Sequence, residues 1–395
     1  MTEVLVELLA MAVYGNIIVL LHELGHAGFA RFAGFRVTSF AVGLGPPLLR
    51  FPLRDGVVFH IDRWPIGGAC TAIPLGPTGA GRSWYHAGGL VVQGVLGVFL
   101  FALPEHWLID RMMHFNALVA LTNAVPWKLG GSASDGWYLL DAWRGGRRAV
   151  EILPQRAQLE RLAAREQAVG SPLGTLYADL CLAWADVLAG RADRASKFFE
   201  LDPPQTAVEP WIDVLYHYVR AEWHRQLHRP LAALRTLQDT RRARESEVGE
   251  MGLDLLLVAE ARTLIDLGDN QKAQRVLAKL AGTWGPVGRQ ASAIQLRTSI
   301  EDAAEELEYA TWRVARRVNE AWLDPADTIE TLHIAADRLE EHGRPAPAAG
   351  ARQAANTLSK RILASCAAED RPSLNARLGT IDATTTERGQ SGAVR

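Results

Sequence analysis

Three apolar stretches before residue 145 dominate the hydrophobic pattern of the chain. Leu8 to Leu21 is almost unbroken, and with the helix-compatible sequence that follows it predicts a helix long enough to cross a bilayer. Ala87 to Leu103 predicts a second span, whose glycines would let helices approach closely. Phe115 to Pro126 is too short for a span by itself, so we predict that it breaks at its proline and continues as Asp135 to Trp143.

Between the first two spans the pattern changes to short β-like segments. Arg36 to Ala41, Leu48 to Leu53 and Val57 to Trp64 have this composition, and Asp55-Gly56 is a recognised turn signal between the last two. We therefore predict a small β-hairpin region, and we expect Pro65 to Gly68 to break the chain after it. The region is either a plain surface hairpin or an edge strand that pairs with an extended peptide.

After about Ala149 the sequence is rich in Ala, Arg, Glu and Leu, as soluble helical domains are. A recurring pattern places Ala, then Gly or His, then Ala at offsets of 0, 7 and 12 residues. The members are Ala183, Gly190 and Ala195; Ala221, His228 and Ala233; Ala261, Gly268 and Ala273; and Ala336, Gly343 and Ala348. This spacing suits paired helices with a turn between them. The set resembles tetratricopeptide-type repeats, and an irregular helical bundle is the alternative.

These patterns divide the chain into three parts, and the predicted fold class is mainly α. Residues 1–145 form a membrane-embedded core with three spans and a small β-hairpin region. Residues 146–370 form a soluble α-helical, repeat-like domain. Residues 371–395 form a polar tail, which we expect to be disordered.

Composition adds three exclusions. The net charge of −2 gives no basic excess, so nothing favours a nucleic-acid partner. Cys70, Cys181 and Cys366 are far apart and odd in number, which indicates reduced thiols and argues against a disulfide or a cysteine zinc site. Glu3 and Glu7 stand where a signal peptide has basic residues, so we expect a retained span at the N-terminus.

Arginines are distributed unequally around the apolar stretches. Those between the first and second are Arg31, Arg36, Arg50, Arg54, Arg63 and Arg82; the next loop carries Arg111; and the third stretch is followed by Arg144, Arg147 and Arg148. The positive-inside rule then places the hairpin region and the C-terminal domain in the cytoplasm. We expect a multi-pass protein of the cell membrane.

The pentapeptide His22-Glu23-Leu24-Gly25-His26 is the main chemical signal. On a helix the two histidines project from one face, where they can hold two corners of a tetrahedral zinc ion. Glu23 lies about 100° round the helix, in reach of a water molecule that the metal activates. The pentapeptide also arises by chance, but its position at the edge of an apolar span favours the functional interpretation.

Further motifs follow the pentapeptide in a fixed order. They are Val37 to Pro46, Trp64 to Gly68, Asn123-Ala124-Val125-Pro126, and Asp135-Gly136. Together with the pentapeptide they resemble the site-2 protease family, the M50-type intramembrane zinc metalloproteases, over roughly residues 10 to 145.

This resemblance implies a set of site residues. The zinc (Zn²⁺) ligands would be His22, His26 and Asp135, with Glu23 as general base and acid and Asn123 as a polar contact to the substrate. Asp141 is a rival to Asp135, and His60, His86, His106 and His114 lack a spaced partner, so we expect none of these histidines to be a ligand.

The chain departs from the family pattern in two places. The interval from Asn123 to Asp135 is four residues longer than the family motif. The second span reads Ala87-Gly88-Gly89-Leu90, where the family more often has Ala-Gly-Pro followed by Asn, and Gln93 is the nearby polar residue.

The predicted function is that of a zinc endopeptidase that cleaves transmembrane segments of membrane proteins near the cytoplasmic face, in regulated intramembrane proteolysis. The expected partners are a transmembrane protein substrate, the lipid bilayer and a cytoplasmic protein that binds the helical domain. The alternative is a non-catalytic, membrane-anchored helical-repeat scaffold that binds cytoplasmic partners. A zinc ion bound to the purified protein would favour the endopeptidase over the scaffold.

Overall fold

The structure is a computed structural model that describes residues 2–75, 82–129, 132–143, 153–200, 209–247, 250–283, 285–301 and 303–379. It is mainly helical, with a small antiparallel sheet. The contacts between residues divide it into two units. The first consists of Met1–Arg147 and Glu160–Ala178, and the second consists of Arg148–Leu159 and Asp179–Arg395.

Four helices of the first unit form where the apolar pattern predicts helix. They are α1 (Thr2–Phe32), α2 (Arg82–Phe101), α3 (Trp107–Ala124) and α4 (Asp135–Trp143). Helix α3 ends at Ala124, and the backbone of the next residue, Val125, is extended with φ −65° and ψ 124°. The ring of Pro126 disfavours helical geometry in the residue before it, which explains the predicted break.

One helical stretch in the described part of the chain, Ser83–Phe101 within α2, is long and apolar enough to cross a membrane. Its surface carries exposed apolar side chains, among them Val95, Val98 and Phe101. The number of three spans stays a prediction.

Helices α1 and α2 cross at glycines that have no room for a side chain. A Cβ added at Gly25 would lie 2.5 Å from the carbonyl oxygen of Gly88. A Cβ added at Gly88 would lie 2.8 Å from the Cβ of Phe29. Real Cβ atoms do not approach other atoms this closely, so the crossing requires glycine in both helices. It brings the pentapeptide directly against α2.

The β region consists of two long strands, β1 (Phe35–Pro52) and β2 (Val58–Pro74), which pair as an antiparallel sheet. Both strands fold back on themselves. On one side, residues 39–42 pair with 68–71 in antiparallel orientation. On the other side, they pair with 58–61 in parallel orientation. Residues 49–52 pair with 58–61 as well. The predicted turn at Asp55-Gly56 is confirmed, with φ values of 60° and 75°.

The expected break at Pro65 to Gly68 lies where β2 reverses its direction, between residues 61 and 68, and Gly67 has φ of 76° there, although the strand assignment continues through it. Among the described residues, no strand pairs with 68–71 on the side away from β1, and the Cys70 carbonyl in this segment accepts a hydrogen bond from the Tyr85 hydroxyl at 2.7 Å.

The first unit also includes parts of α5 (Arg156–Val169) and α6 (Pro172–Leu188). The hydroxyl of Ser39 donates to Glu166 Oε1 at 2.8 Å, and both residues are fully buried. At the start of α6, Ser171 Oγ donates to the carbonyl oxygen of Thr38 at 3.4 Å. The turn between these helices is thereby fixed to β1.

The remaining helices belong to the second unit. They are α7 (Ala192–Phe199), α8 (Pro210–Gln226), α9 (Pro230–Arg244), α10 (Glu250–Asp266), α11 (Asn270–Ala278), α12 (Gly285–Thr298), α13 (Ala304–Ala315), α14 (Pro325–Glu341), α15 (Pro345–Ser365) and α16 (371–379).

The recurring pattern of the sequence marks four helix pairs in this unit. Gly190, His228, Gly268 and Gly343 have φ of 79°, 55°, 78° and 71° and lie in the turns after α6, α8, α10 and α14. At each turn, the backbone amide of the next residue donates to a carbonyl in the last turns of the preceding helix, as Asp269 N donates to Leu264 O at 2.9 Å. This is the Schellman arrangement. The alanines of the pattern are buried. The helix-turn-helix pairs lie where the pattern predicts them, and their relation to tetratricopeptide-type repeats stays a prediction.

Helix α16 differs from the polar tail that we expected from residue 371 onwards. Leu374 and Leu378 are buried, and Arg377 pairs with Asp324 at 3.0 Å. Burial alone would raise the pKa of Asp324, but the guanidinium of Arg377 helps to hold it below its usual value. The remainder of the tail, 380–395, lies outside the described residues.

His228 occupies a backbone conformation that the other three turns give to glycine. Because a side chain is strained there, we expect His228→Gly to raise the free energy of unfolding by about 0.5–1 kcal/mol. Urea unfolding of the full chain in detergent, followed by far-UV circular dichroism, measures the change. Gly268→Ala is the matched control and should lower this free energy by about 1 kcal/mol. A loss of stability in His228→Gly would contradict the argument.

Candidate metal centre

Three side chains from two distant parts of the chain meet in the first unit. His22 Nε2 lies 3.1 Å from His26 Nε2, and Asp135 Oδ2 lies 3.1 Å and 3.2 Å from these two nitrogens. The three residues are 4%, 5% and 8% exposed. Among the residues that the structure describes, their donor atoms lie close enough together to hold one metal ion. We call this group the triad.

The two histidines come together because α1 is helical across the pentapeptide. Residues four apart lie on one face of a helix, and His22 and His26 both face α2. A Cβ added at Gly89 would lie 2.7 Å from His22 Nδ1 and 2.7 Å from His26 Nε2. The two rings therefore occupy the space that a side chain at position 89 would take.

Asp135 reaches the histidines because the long connection between α3 and α4 is folded back. Strands β3 (Lys128–Leu129) and β4 (Ser132–Ala133) pair with each other and take up the additional residues. Ser134 Oγ donates to Val125 O at 2.7 Å and accepts from the backbone amide of Trp127 at 3.1 Å. A Cβ at Gly136 would overlap Ala124 O, so only glycine lets α4 start here.

Two neighbours from α2 hold the triad in place. His26 Nδ1 donates to the Tyr85 carbonyl at 2.8 Å, which leaves Nε2 as the nitrogen that faces the triad. His86 Nδ1 lies 3.3 Å from Asp135 Oδ1, and its ring stacks on Tyr138 with centroids 4.1 Å apart. No local sequence pattern predicts that His86 is at the site, since Asp135 and Tyr138 lie about fifty residues further along the chain.

Glu23 lies beside the triad and is 6% exposed. Strand β2 runs close to it: a Cβ added at Gly68 would lie 3.0 Å from Glu23 Cγ and 2.6 Å from Val19 Cγ1. Residue 68 of β2 is therefore packed against the side chain of the carboxylate that the sequence predicts as the base.

The triad fits a catalytic zinc ion by both chemistry and size. Two imidazole nitrogens and one carboxylate oxygen are a donor set of such sites, which keep a fourth position open. Ligands about 2.0–2.1 Å from a tetrahedral zinc are about 3.3 Å apart. The separations of 3.1–3.2 Å in the triad are close to this value.

The other candidate residues lie outside the triad. Asn123 is in the last turn of α3, and its amide nitrogen donates to Val119 O at 3.0 Å. Asp141, the rival to Asp135, is exposed on α4. His60 pairs with Asp62 at 2.6 Å, His106 caps α3, and His114 bonds to Asp110 O at 2.6 Å.

Gly89→Ala tests the close packing of α2 on the two imidazoles. The added methyl group would displace both rings, so we expect the variant to lose most of its zinc at equal chelator concentration. Metal content of the purified full chain measures this effect. Gly94→Ala on the same helix is the matched control, since no atom lies within 4 Å of its added Cβ. Equal zinc content in both variants would contradict the geometry.

Comparison with known proteins gives the family context of this site. The model of the family described as Peptidase family M50 matches residues 10–312, well over half of the chain. The Probable protease eep of Enterococcus faecalis is 45% identical over 53 residues, which are 13% of this chain and 13% of that protein.

Two longer matches come from other bacteria. A Putative zinc metalloprotease of Vibrio cholerae is 28% identical over 119 residues, and Protease RseP of Yersinia pestis is 29% identical over 119 residues. Each match covers 28% of this chain and 26% of the relative. The matched segments thus span about a quarter or less of these three relatives.

Proposed function

Because this chain belongs to peptidase family M50, we propose that it is an intramembrane zinc endopeptidase that cleaves transmembrane segments of membrane proteins near the cytoplasmic face. The main support is the triad of His22, His26 and Asp135, with the Glu23 carboxylate buried beside it. The names of the relatives, zinc metalloprotease and RseP, agree with this proposal.

The proposed ligands are His22, His26 and Asp135, each through the atom that faces the other two. When bound, zinc supplies Lewis acidity for carbonyl polarisation and for water activation. The Tyr85 carbonyl orients the His26 ring, and the contact of His86 with Asp135 holds the carboxylate. Preorganised ligands of this kind keep the donor atoms in place without a cost at the moment of reaction.

Glu23 is the proposed general base and acid. Its carboxylate takes a proton from the attacking water molecule and transfers it to the nitrogen of the leaving amine. Glu23, on α1, is buried against β2, which limits the exchange of this proton with bulk water.

The substrate is proposed to bind as an extended segment along residues 68–71 of β2. A helix hides its peptide carbonyls in internal hydrogen bonds, so a transmembrane segment has to unwind before cleavage. Pairing with the free edge of β2 replaces the lost bonds and places the peptide beside Glu23. We propose Asn123, at the end of α3, as an additional polar contact to the substrate.

The proposed location is the cell membrane, with several spans and a cytoplasmic C-terminal part. A cytoplasmic protein is the proposed partner of the second unit. Tyr309 and Trp312 on α13 are 62% and 53% exposed and stack on each other with centroids 6.1 Å apart. Exposed aromatic pairs of this kind are frequent anchors of protein interfaces, and they would also serve the alternative function as a scaffold.

Glu23→Gln tests the proposed chemistry, since glutamine has the size of glutamate but cannot take up the proton. We expect at least a ~100-fold loss of cleavage with unchanged zinc content. Membrane proteomes of cells that express the wild type or the variant identify proteins that stay uncut only with the variant. Identical fragments from both strains would contradict the proposal.

A further inference from the structure

Four buried polar atoms on α1, α2 and α3 have no hydrogen-bond partner in the described part of the chain. Among the residues that the structure describes, these are His22 Nδ1, Gln93 Oε1, Gln93 Nε2 and Asn116 Oδ1. The three residues are 4%, 1% and 3% exposed. Buried polar groups are as a rule hydrogen-bonded to protein or to ordered water, so we expect each of these atoms to have a hydrogen-bond partner.

The two histidines of the triad differ in their second ring nitrogen. His26 Nδ1 donates to the Tyr85 carbonyl, whereas His22 Nδ1 has no such contact in the described part of the chain. A histidine that binds a metal almost always donates its other ring nitrogen to a carboxylate, a carbonyl or a water molecule, which fixes the orientation of the ring. The partner of His22 is therefore the missing part of the site.

Gln93 is placed to supply this partner. It lies four residues after Gly89 on α2, so both residues are on the same face of the helix. Side chains on a helix lean towards its N-terminus, which directs the amide of Gln93 towards Gly89. The Cβ position of Gly89 is 2.7 Å from His22 Nδ1.

Asn116 stands on the other side of Gln93. Its Nδ2 donates to the backbone carbonyl of Gln93 at 2.9 Å, and a Cβ added at Gly97 would lie 3.3 Å from the same nitrogen. This contact fixes the Asn116 amide between α2 and α3. Its Oδ1 is then left as an acceptor for a donor from the Gln93 side chain.

We propose that Gln93 is a positioning residue for His22, an inference that rests on the proposed zinc function. Gln93 Oε1 accepts the proton of His22 Nδ1, directly or through one ordered water molecule, and Gln93 Nε2 donates to Asn116 Oδ1. This chain of bonds gives a partner to all four atoms. It holds the imidazole of His22 with Nε2 towards Asp135. A single water suits this place because buried waters take two to four polar partners.

Zinc affinity of the purified full chain, measured by competition with a chelator, tests the proposal without any substrate. We expect Gln93→Leu to weaken zinc binding by about 10–100-fold, the usual effect of losing an outer partner of a metal ligand. Gln93→Glu keeps the acceptor for His22 Nδ1 but loses the donor to Asn116, so its affinity should fall by less than that of Gln93→Leu, by about 3–10-fold. Val95→Leu is the matched control on the exposed side of α2 and should bind as the wild type does.

The visible absorption spectrum of the Co²⁺-substituted protein gives a second readout, since it reports the geometry of the ligands. It should change in Gln93→Leu and remain unchanged in Gln93→Glu and Val95→Leu. A zinc affinity of Gln93→Leu equal to that of the wild type would overturn the proposal. If Gln93→Leu does not fold, Asn116→Leu replaces it, and its affinity should fall by about 3–10-fold; an unchanged affinity would overturn the proposal equally.

His22→Ala separates this inference from the proposed function. Retained zinc binding in His22→Ala would show that the proposed metal site is wrong. Loss of zinc in His22→Ala together with full affinity in Gln93→Leu would leave the metal site intact and refute the role of Gln93 alone.

Discussion

The close crossing of α1 and α2 is the constraint on which the metal centre depends. Gly25 and Gly88 let the two backbones touch, and Gly89 leaves the space that the rings of His22 and His26 fill. The same contact brings the Tyr85 carbonyl within 2.8 Å of His26 Nδ1. Glycines in the second apolar stretch thus serve the site as well as helix packing.

The second requirement is that Asp135 returns to the histidines after more than a hundred residues. Ser134 ties the connection to the end of α3, and the β3–β4 turn absorbs the residues by which this connection exceeds the family pattern. An insertion in a surface connection costs little conformational entropy, because the cost of loop closure grows only slowly with length. The longer interval is therefore compatible with a complete triad.

How far the sequence predicts the structure depends on how local each signal is. The helical pentapeptide and the turns at Gly190 and Gly268 follow from short spacings, and the structure has them where expected. The double pairing of residues 39–42 and the place of His86 depend on contacts between distant segments, which no local pattern encodes. The prediction of Asp135 came from the family resemblance and not from spacing alone.

X-ray absorption at the zinc edge of the purified full chain tests the central claim most directly. The account predicts one zinc per chain with nitrogen and oxygen ligands at about 2.0–2.1 Å, imidazole scattering from two histidines and no sulfur. Asp135→Asn should reduce zinc binding strongly. A shell of sulfur ligands at about 2.3 Å, or a protein that binds no zinc when metal is supplied, would contradict it.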